Sequence, residues 1–169
     1  MKPVLYRRDP EDVLVLILKN GRRLKQKPGV DLFLSKIGEV YSLTRYGLRR
    51  LRVDVHPKRR YGQRSRNGVK HGRRYPYVVF RKKVYTVHIL MEEIWVRPCR
   101  EGEEVDHLDG NIYNCRLDNL EIVTKEENRR RSKILKAMRK DARELNDPSL
   151  DPRNKTPEEM KAIYKDFRF

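Results

Sequence analysis

The stretch from Val105 to Asn128 carries the side chains best suited to chemistry. Asp106 and His107 are adjacent, and Asp109-Gly110-Asn111 supplies a turn straight after them. If Asp106 and His107 end a strand, their side chains diverge to opposite faces. Leu120 to Thr124 reads as a second short strand, and Thr124-Lys125-Glu126-Glu127 fits a capping box that starts a helix at Lys125. Asn128 then falls within the first turn or so of that helix. Two strands, a loop and a helix in this order can bring Asp106, His107 and Asn128 together. A carboxylate and a carboxamide oxygen are hard ligands, suited to Mg²⁺ or Mn²⁺. An imidazole, with an ordinary pKa of roughly 6.5, can be neutral near physiological pH and take a proton from water. That set suits phosphodiester hydrolysis, in which a metal neutralises the phosphate and stabilises the leaving 3′ oxygen. The plainer alternative is a surface Asp–His pair that steadies a turn.

The rest of the chain must position these groups. It has 169 residues, enough for one domain or a small pair, and 41 Lys and Arg against 24 Asp and Glu, a formal charge of +17. Such a chain repels itself unless a polyanion neutralises it, so nucleic acid is the first partner to consider. The longest apolar run, Val13 to Leu18, is far short of a membrane span. The first residues lack the apolar region of a secretory signal, and the expected compartment is the cytoplasm. Cys99 and Cys115 form no CxxC pair, which disfavours a zinc ribbon or a disulfide framework.

Val13 to Leu18 reads as a buried strand closed by Asn20-Gly21, and β-like pieces follow at Asp31–Leu34, Glu39–Leu43 and Leu48–Val55. Residues 57–75 form a glycine-spaced basic loop. Tyr77–Phe80 and Val84–Val87 flank Arg81-Lys82-Lys83 as a hairpin with a basic turn. His88 to Val96 reads as a short amphipathic helix with Ile89, Leu90, Ile94 and Trp95 near one face. Glu101, Glu103 and Glu104 read as a solvated acidic loop. Residues 141–169 hold seven acidic and six basic side chains, so the positive charge lies upstream.

Val87-His88-Ile89-Leu90, Asp106-His107-Leu108-Asp109-Gly110-Asn111, Asp118-Asn119-Leu120-Glu121 and Glu127-Asn128 resemble the HNH endonucleases of phages and group I introns. The resemblance implies a ββα-metal core and one divalent cation, Mg²⁺ or Mn²⁺. It assigns His107 as general base and Asp106 and Asn128 as metal ligands. Asn119 becomes the middle Asn that holds the loop and orients the histidine. Residues 34–43 resemble, more weakly, the small β module that often precedes this core in homing enzymes. Ile122 replaces a frequent Trp, and Ile89 replaces a frequent basic residue.

The expected fold class is α+β: a small N-terminal β-rich module, a ββα-metal core and a C-terminal helical tail. The expected segments are an N-terminal strand segment (1–29), a β-rich DNA-binding module with the basic loop (30–84), the nuclease core (85–140) and a linker with a short helix (141–169). DNA contacts are assigned to Arg59, Arg60, Arg64, Arg66, Arg73 and Arg74 of the basic loop, and to Arg129, Lys133 and Lys136 on one helix face. His88 is assigned to the DNA or the active-site edge, with a packed helix-start histidine as the alternative. In the tail, Thr156-Pro157-Glu158-Glu159 caps a helix whose Met160, Ile163, Tyr164 and Phe167 could dock on the body or on a protein partner. The expected activity is nicking of double-stranded DNA by a monomer or weak dimer of phage or homing type. The rival readings are an inactive DNA-binding or virion-associated protein that keeps the scaffold, and an RNA-binding protein.

Overall fold

The structure is a computed structural model and describes residues 5–8, 13–55 and 75–167. The first half is an antiparallel meander. Strands β1 (Leu5–Arg8), β2 (Leu14–Ile17), β3 (Arg23–Gln26), β4 (Leu32–Ser35), β5 (Val40–Thr44) and β6 (Gly47–Arg50) form a six-stranded sheet in sequence order. The sheet crosses residues 29 and 30, where the sequence suggests a division, because β3 pairs with β4 through Leu24 opposite Ser35 and Gln26 opposite Phe33. β3 carries little sequence signal, since Leu24 is its single apolar residue. Its backbone groups are nevertheless used on both edges.

Side chains alternate across a strand, and β4 is buried on both faces. Phe33 joins Leu16, Leu18, Leu24, Tyr41 and Leu48 in one apolar cluster. Leu32 and Leu34, with Val40, face the other way into a second cluster with the downstream half of the chain. That half begins with a hairpin of β7 (Tyr77–Phe80) and β8 (Lys83–Thr86). Its turn residues Arg81 and Lys82 both have positive φ, as a tight two-residue hairpin turn requires. Helix α1 (Val87–Trp95) follows, and its Val87, Leu90, Met91 and Ile94 seal the second cluster against β4 and β5. Ile89, expected on the apolar face, is 51% exposed; the buried stripe runs instead through His88, Met91 and Glu92.

β9 (Glu103–His107) and β10 (Leu120–Thr124) pair antiparallel and lead into the long helix α2 (Lys125–Glu144). Glu103 and Glu104 therefore belong to a strand rather than a solvated loop: Arg97 clamps Glu103 at 2.6 and 2.9 Å, and Glu104 accepts from Asn128. Two short 3₁₀ turns, Pro148–Leu150 and Pro152–Asn154, reverse the chain into α3 (Pro157–Asp166). α3 opens on the full capping box formed by Thr156 and Glu159. Its Met160 and Tyr164 pack on Ile134 and Leu135 of α2 and on Leu108, so this helix docks on the protein's own body. No helix among the described residues is long and apolar enough to cross a membrane.

Candidate active site

β9 delivers Asp106 and His107 to the end of the strand pair, where Glu121 and Leu120 of β10 lie opposite them. Thr124 accepts from the Glu127 backbone N–H and so starts α2 where the sequence predicts. Glu127 does not complete the capping box, because its carboxylate binds Arg130 and Arg131 instead. One helical turn in, Asn128 lines a cavity of about 90 Å³ together with Asp106, His107, Ser132 and Lys136. The structure therefore brings Asp106, His107 and Asn128 together around one space. Asn128 donates from Nδ2 to Glu104 at 2.7 Å, which leaves its carbonyl oxygen as the available ligand atom.

Asn119 does not line that cavity; it builds the loop beside it. Its Nδ2 donates to Asp109 Oδ1 at 3.0 Å and to the Asn114 carbonyl at 2.9 Å, and its Oδ1 accepts from the Asp109 N–H. Its backbone carbonyl accepts from the Leu108 N–H. Asp109 in turn accepts from the Asn111 N–H and from Asn114 Nδ2. Gly110 is obligatory here: its φ is +62°, and a Cβ would come within 2.7 Å of the Arg139 and Leu135 side chains.

Electrostatically the site is a knot of carboxylates around one buried guanidinium. Arg131, 8% exposed, bonds Glu127 and Glu121 at 2.7 Å each and stands 3.6 Å from Asp106 Oδ2. Asp106 Oδ2 is buried and has no hydrogen-bond partner. Burial pushes the Asp106 carboxyl up to about 6, against the pull of Arg131 and of the His107 backbone N–H. Asp106, Glu121, Glu127 and Glu104 are matched by Arg130 and Arg131 and by Lys136 and Arg139 of the cavity lining, so opposite charges balance around the site. A hard divalent cation held by Asp106 and the Asn128 carbonyl, with water filling its other positions, fits that donor set. Among the described residues no group of three or more His, Cys, Asp and Glu gathers for a metal, so any such site relies on the amide oxygen.

His88, assigned to the DNA on sequence grounds, is buried instead. Its ring lies 5.1 Å from that of His107 and 4.3 Å from that of Tyr75, which also stacks on His107 at 5.9 Å. Burial, aided by His107, drives the His88 imidazole down to about 3, so it stays neutral. A duplex cannot reach a side chain enclosed in this way. Arg129 and Lys133 are exposed on α2, and Lys136 is exposed at the cavity rim. Arg59, Arg60, Arg64, Arg66, Arg73 and Arg74 lie outside the described residues. Cys99 and Cys115 are free thiols.

Sequence reasoning missed Arg131, Arg139 and Tyr164. Arg131 was signalled by Glu127 four residues earlier on the same helix face. Tyr164 donates its hydroxyl to the Leu108 carbonyl at 2.6 Å, while Arg131 lies over its ring at 4.6 Å. Arg139 donates to the carbonyls of Asp109 and Gly110.

Residues 85–130 match the family model described as HNH endonuclease. The matched segment begins within β8 and ends in the second turn of α2, so it contains all four residues of the expected site. This segment is similar to HNH endonucleases, and the match points to nuclease activity on DNA. No curated protein and no solved structure matched the chain.

Proposed function

We propose that this protein is a metal-dependent HNH endonuclease that hydrolyses one strand of duplex DNA. The reading rests on one observation: Asp106, His107 and Asn128 line a single cavity inside the segment that matches the nuclease family. In this reading Asp106 and the Asn128 carbonyl hold one Mg²⁺ or Mn²⁺. When bound, such a cation neutralises the scissile phosphate and stabilises the departing 3′ oxygen. His107 removes a proton from a water molecule, whose oxygen attacks phosphorus as the bond to O3′ breaks. Tyr75 and neutral His88 hold the His107 ring from behind and exclude bulk solvent. Asn119 keeps the loop that follows His107 in one shape. Lys136 at the rim supplies positive charge for a phosphate oxygen. One catalytic centre per chain makes a nick the product unless two chains act on one site. The preceding sheet fits the homing-type arrangement that the sequence resembles.

Supercoiled plasmid with Mg²⁺ or Mn²⁺ tests the reading. The parent protein converts it to open circles. His107→Ala binds the plasmid and cuts it about 10²- to 10⁴-fold more slowly. Asp106→Ala loses the metal-dependent reaction. Normal cutting by His107→Ala removes the general-base assignment. Salt-sensitive binding by the parent, with no cutting in any divalent metal, identifies a non-catalytic DNA-binding protein instead.

A further inference from the structure

Beside the candidate active site lies a second, larger depression, and its charged residues all lie downstream of the family match. Arg139 and Arg143 come from the last turns of α2, and Arg153 comes from the 3₁₀ turn Pro152–Asn154. With Tyr113 and Asp151 they line a space of about 390 Å³. Gly110, Ile112 and Arg139 line both this depression and the Asp106–His107–Asn128 cavity, so the two spaces share a wall. We infer that this depression is a phosphate-binding subsite that takes the DNA backbone to one side of the cleaved bond. The inference rests on the nuclease reading for its location, but not for its chemistry.

Three guanidinium groups meet one carboxylate there. Arg153 binds Asp151 through Nε and Nη2. Asp151 also accepts from the Arg153 backbone N–H, which fixes the turn that presents the arginine. Arg139 is rooted by its bonds to the Asp109 and Gly110 carbonyls, the loop that follows His107. Arg143 uses Nε alone, donating to the Arg139 carbonyl. Arg143 and Arg153 are exposed, and two positive charges remain after Asp151 is counted. Guanidinium forks match phosphate oxygens in pairs, which lysine does not. Tyr113, 58% exposed, adds an aromatic face of the kind that stacks on a sugar or base. Because Arg139 braces the loop at one wall and faces the depression at the other, a strand seated here sits in fixed register with His107.

The test uses the full chain and a fluorescein-labelled duplex of about 30 base pairs, with EDTA present so that nothing is cut. Anisotropy gives the binding constant over a salt series. Arg143→Gln/Arg153→Gln reduces the magnitude of the log–log salt slope by about two and weakens low-salt binding at least tenfold. Lys161→Gln/Lys165→Gln removes the same charge from exposed positions of α3 and changes the slope by less than half a unit. Asp151→Asn keeps the capping oxygen while removing its charge, and it tightens binding about five-fold. Equal slopes for the two double variants overturn the subsite. So does an Asp151→Asn protein that binds no better than the parent. Circular dichroism confirms that each variant melts like the parent. Plasmid nicking is scored separately. Loss of the salt slope without any nicking by the parent keeps the subsite and removes the nuclease reading. Nicking by the parent with an unchanged slope does the reverse.

Discussion

Asn119 makes three side-chain hydrogen bonds. Its two bonds to Asp109 are buried, and its bond to the Asn114 carbonyl is partly buried. Leaving buried polar groups unpaired costs about 1–3 kcal/mol per group. Asn119→Ala is therefore expected to destabilise the fold by about 3 kcal/mol in urea titration, and cutting falls with it because the loop after His107 loosens. A variant as stable as the parent would show that the loop is held elsewhere. Glu92 carries a different prediction. It is 2% exposed, and burial, then the charge of Glu121, raises its carboxyl to about 7 while Arg97 pulls it down. The folded protein thus holds this proton more tightly than the unfolded chain, where an ordinary glutamate has a pKa of about 4.3. Its contribution is complete below the unfolded value and is lost as pH rises through about 7. Melting temperature should fall between pH 5 and 7.5 in the parent and fall less in Glu92→Gln. Parallel pH profiles would sink that assignment.

At the scale of elements, α3 acts as a brace on the site. Its Tyr164 hydroxyl reaches the Leu108 carbonyl, one residue past His107, and its ring lies under Arg131. Arg130 ties the same helix end by bonds to the Tyr164 and Phe167 carbonyls. Tyr164→Phe keeps the packing and removes the hydroxyl, so the stability loss should be only about 1 kcal/mol. The expected effect on function is larger: the nicking rate drops while DNA affinity stays at the parent value, since the loop and not the contact surface is altered. A fall in affinity with an unchanged rate would place Tyr164 at the DNA instead. α2 has a double use for the same reason. One face buries Ile134 and Leu135 under α3, and the other leaves Arg129, Lys133 and Lys136 in water. The expected basic stripe is exposed.

Across the molecule, the sheet packs against the segment that matches the HNH endonuclease family. Leu32, Leu34 and Val40 share a core with α1, and the Leu117 N–H donates to the Lys36 carbonyl at 2.9 Å. Gly38, in the turn between β4 and β5, has φ +83°, and a Cβ there would lie 3.1 Å from the Cys115 carbonyl oxygen. Gly38→Val forces a branched side chain into a left-handed backbone against that carbonyl, at a cost of about 1–3 kcal/mol. Far-ultraviolet and near-ultraviolet circular dichroism should report one shared transition at a lower temperature than the parent. Two separate transitions would mean that the sheet and the site fold independently.

The turn at Asp109-Gly110-Asn111, the helix start at Thr124 and the meeting of Asp106, His107 and Asn128 were legible in the sequence. Each depends on neighbours within one strand–loop–strand–helix unit, where turn and capping chemistry are local. The hairpin at Arg81-Lys82 and the capped helix at Pro157 were legible for the same reason. The strand β3, with one apolar side chain, was not, because its place is set by backbone bonds to strands on both sides. Nor could the sequence say that His88 turns inward, that Arg131 is buried among carboxylates, or that Arg139 stands between the site and the depression that Arg153 lines. A charged or ring-bearing side chain reads the same whether water or protein surrounds it. Only packing between segments far apart in the chain decides which of the two it meets.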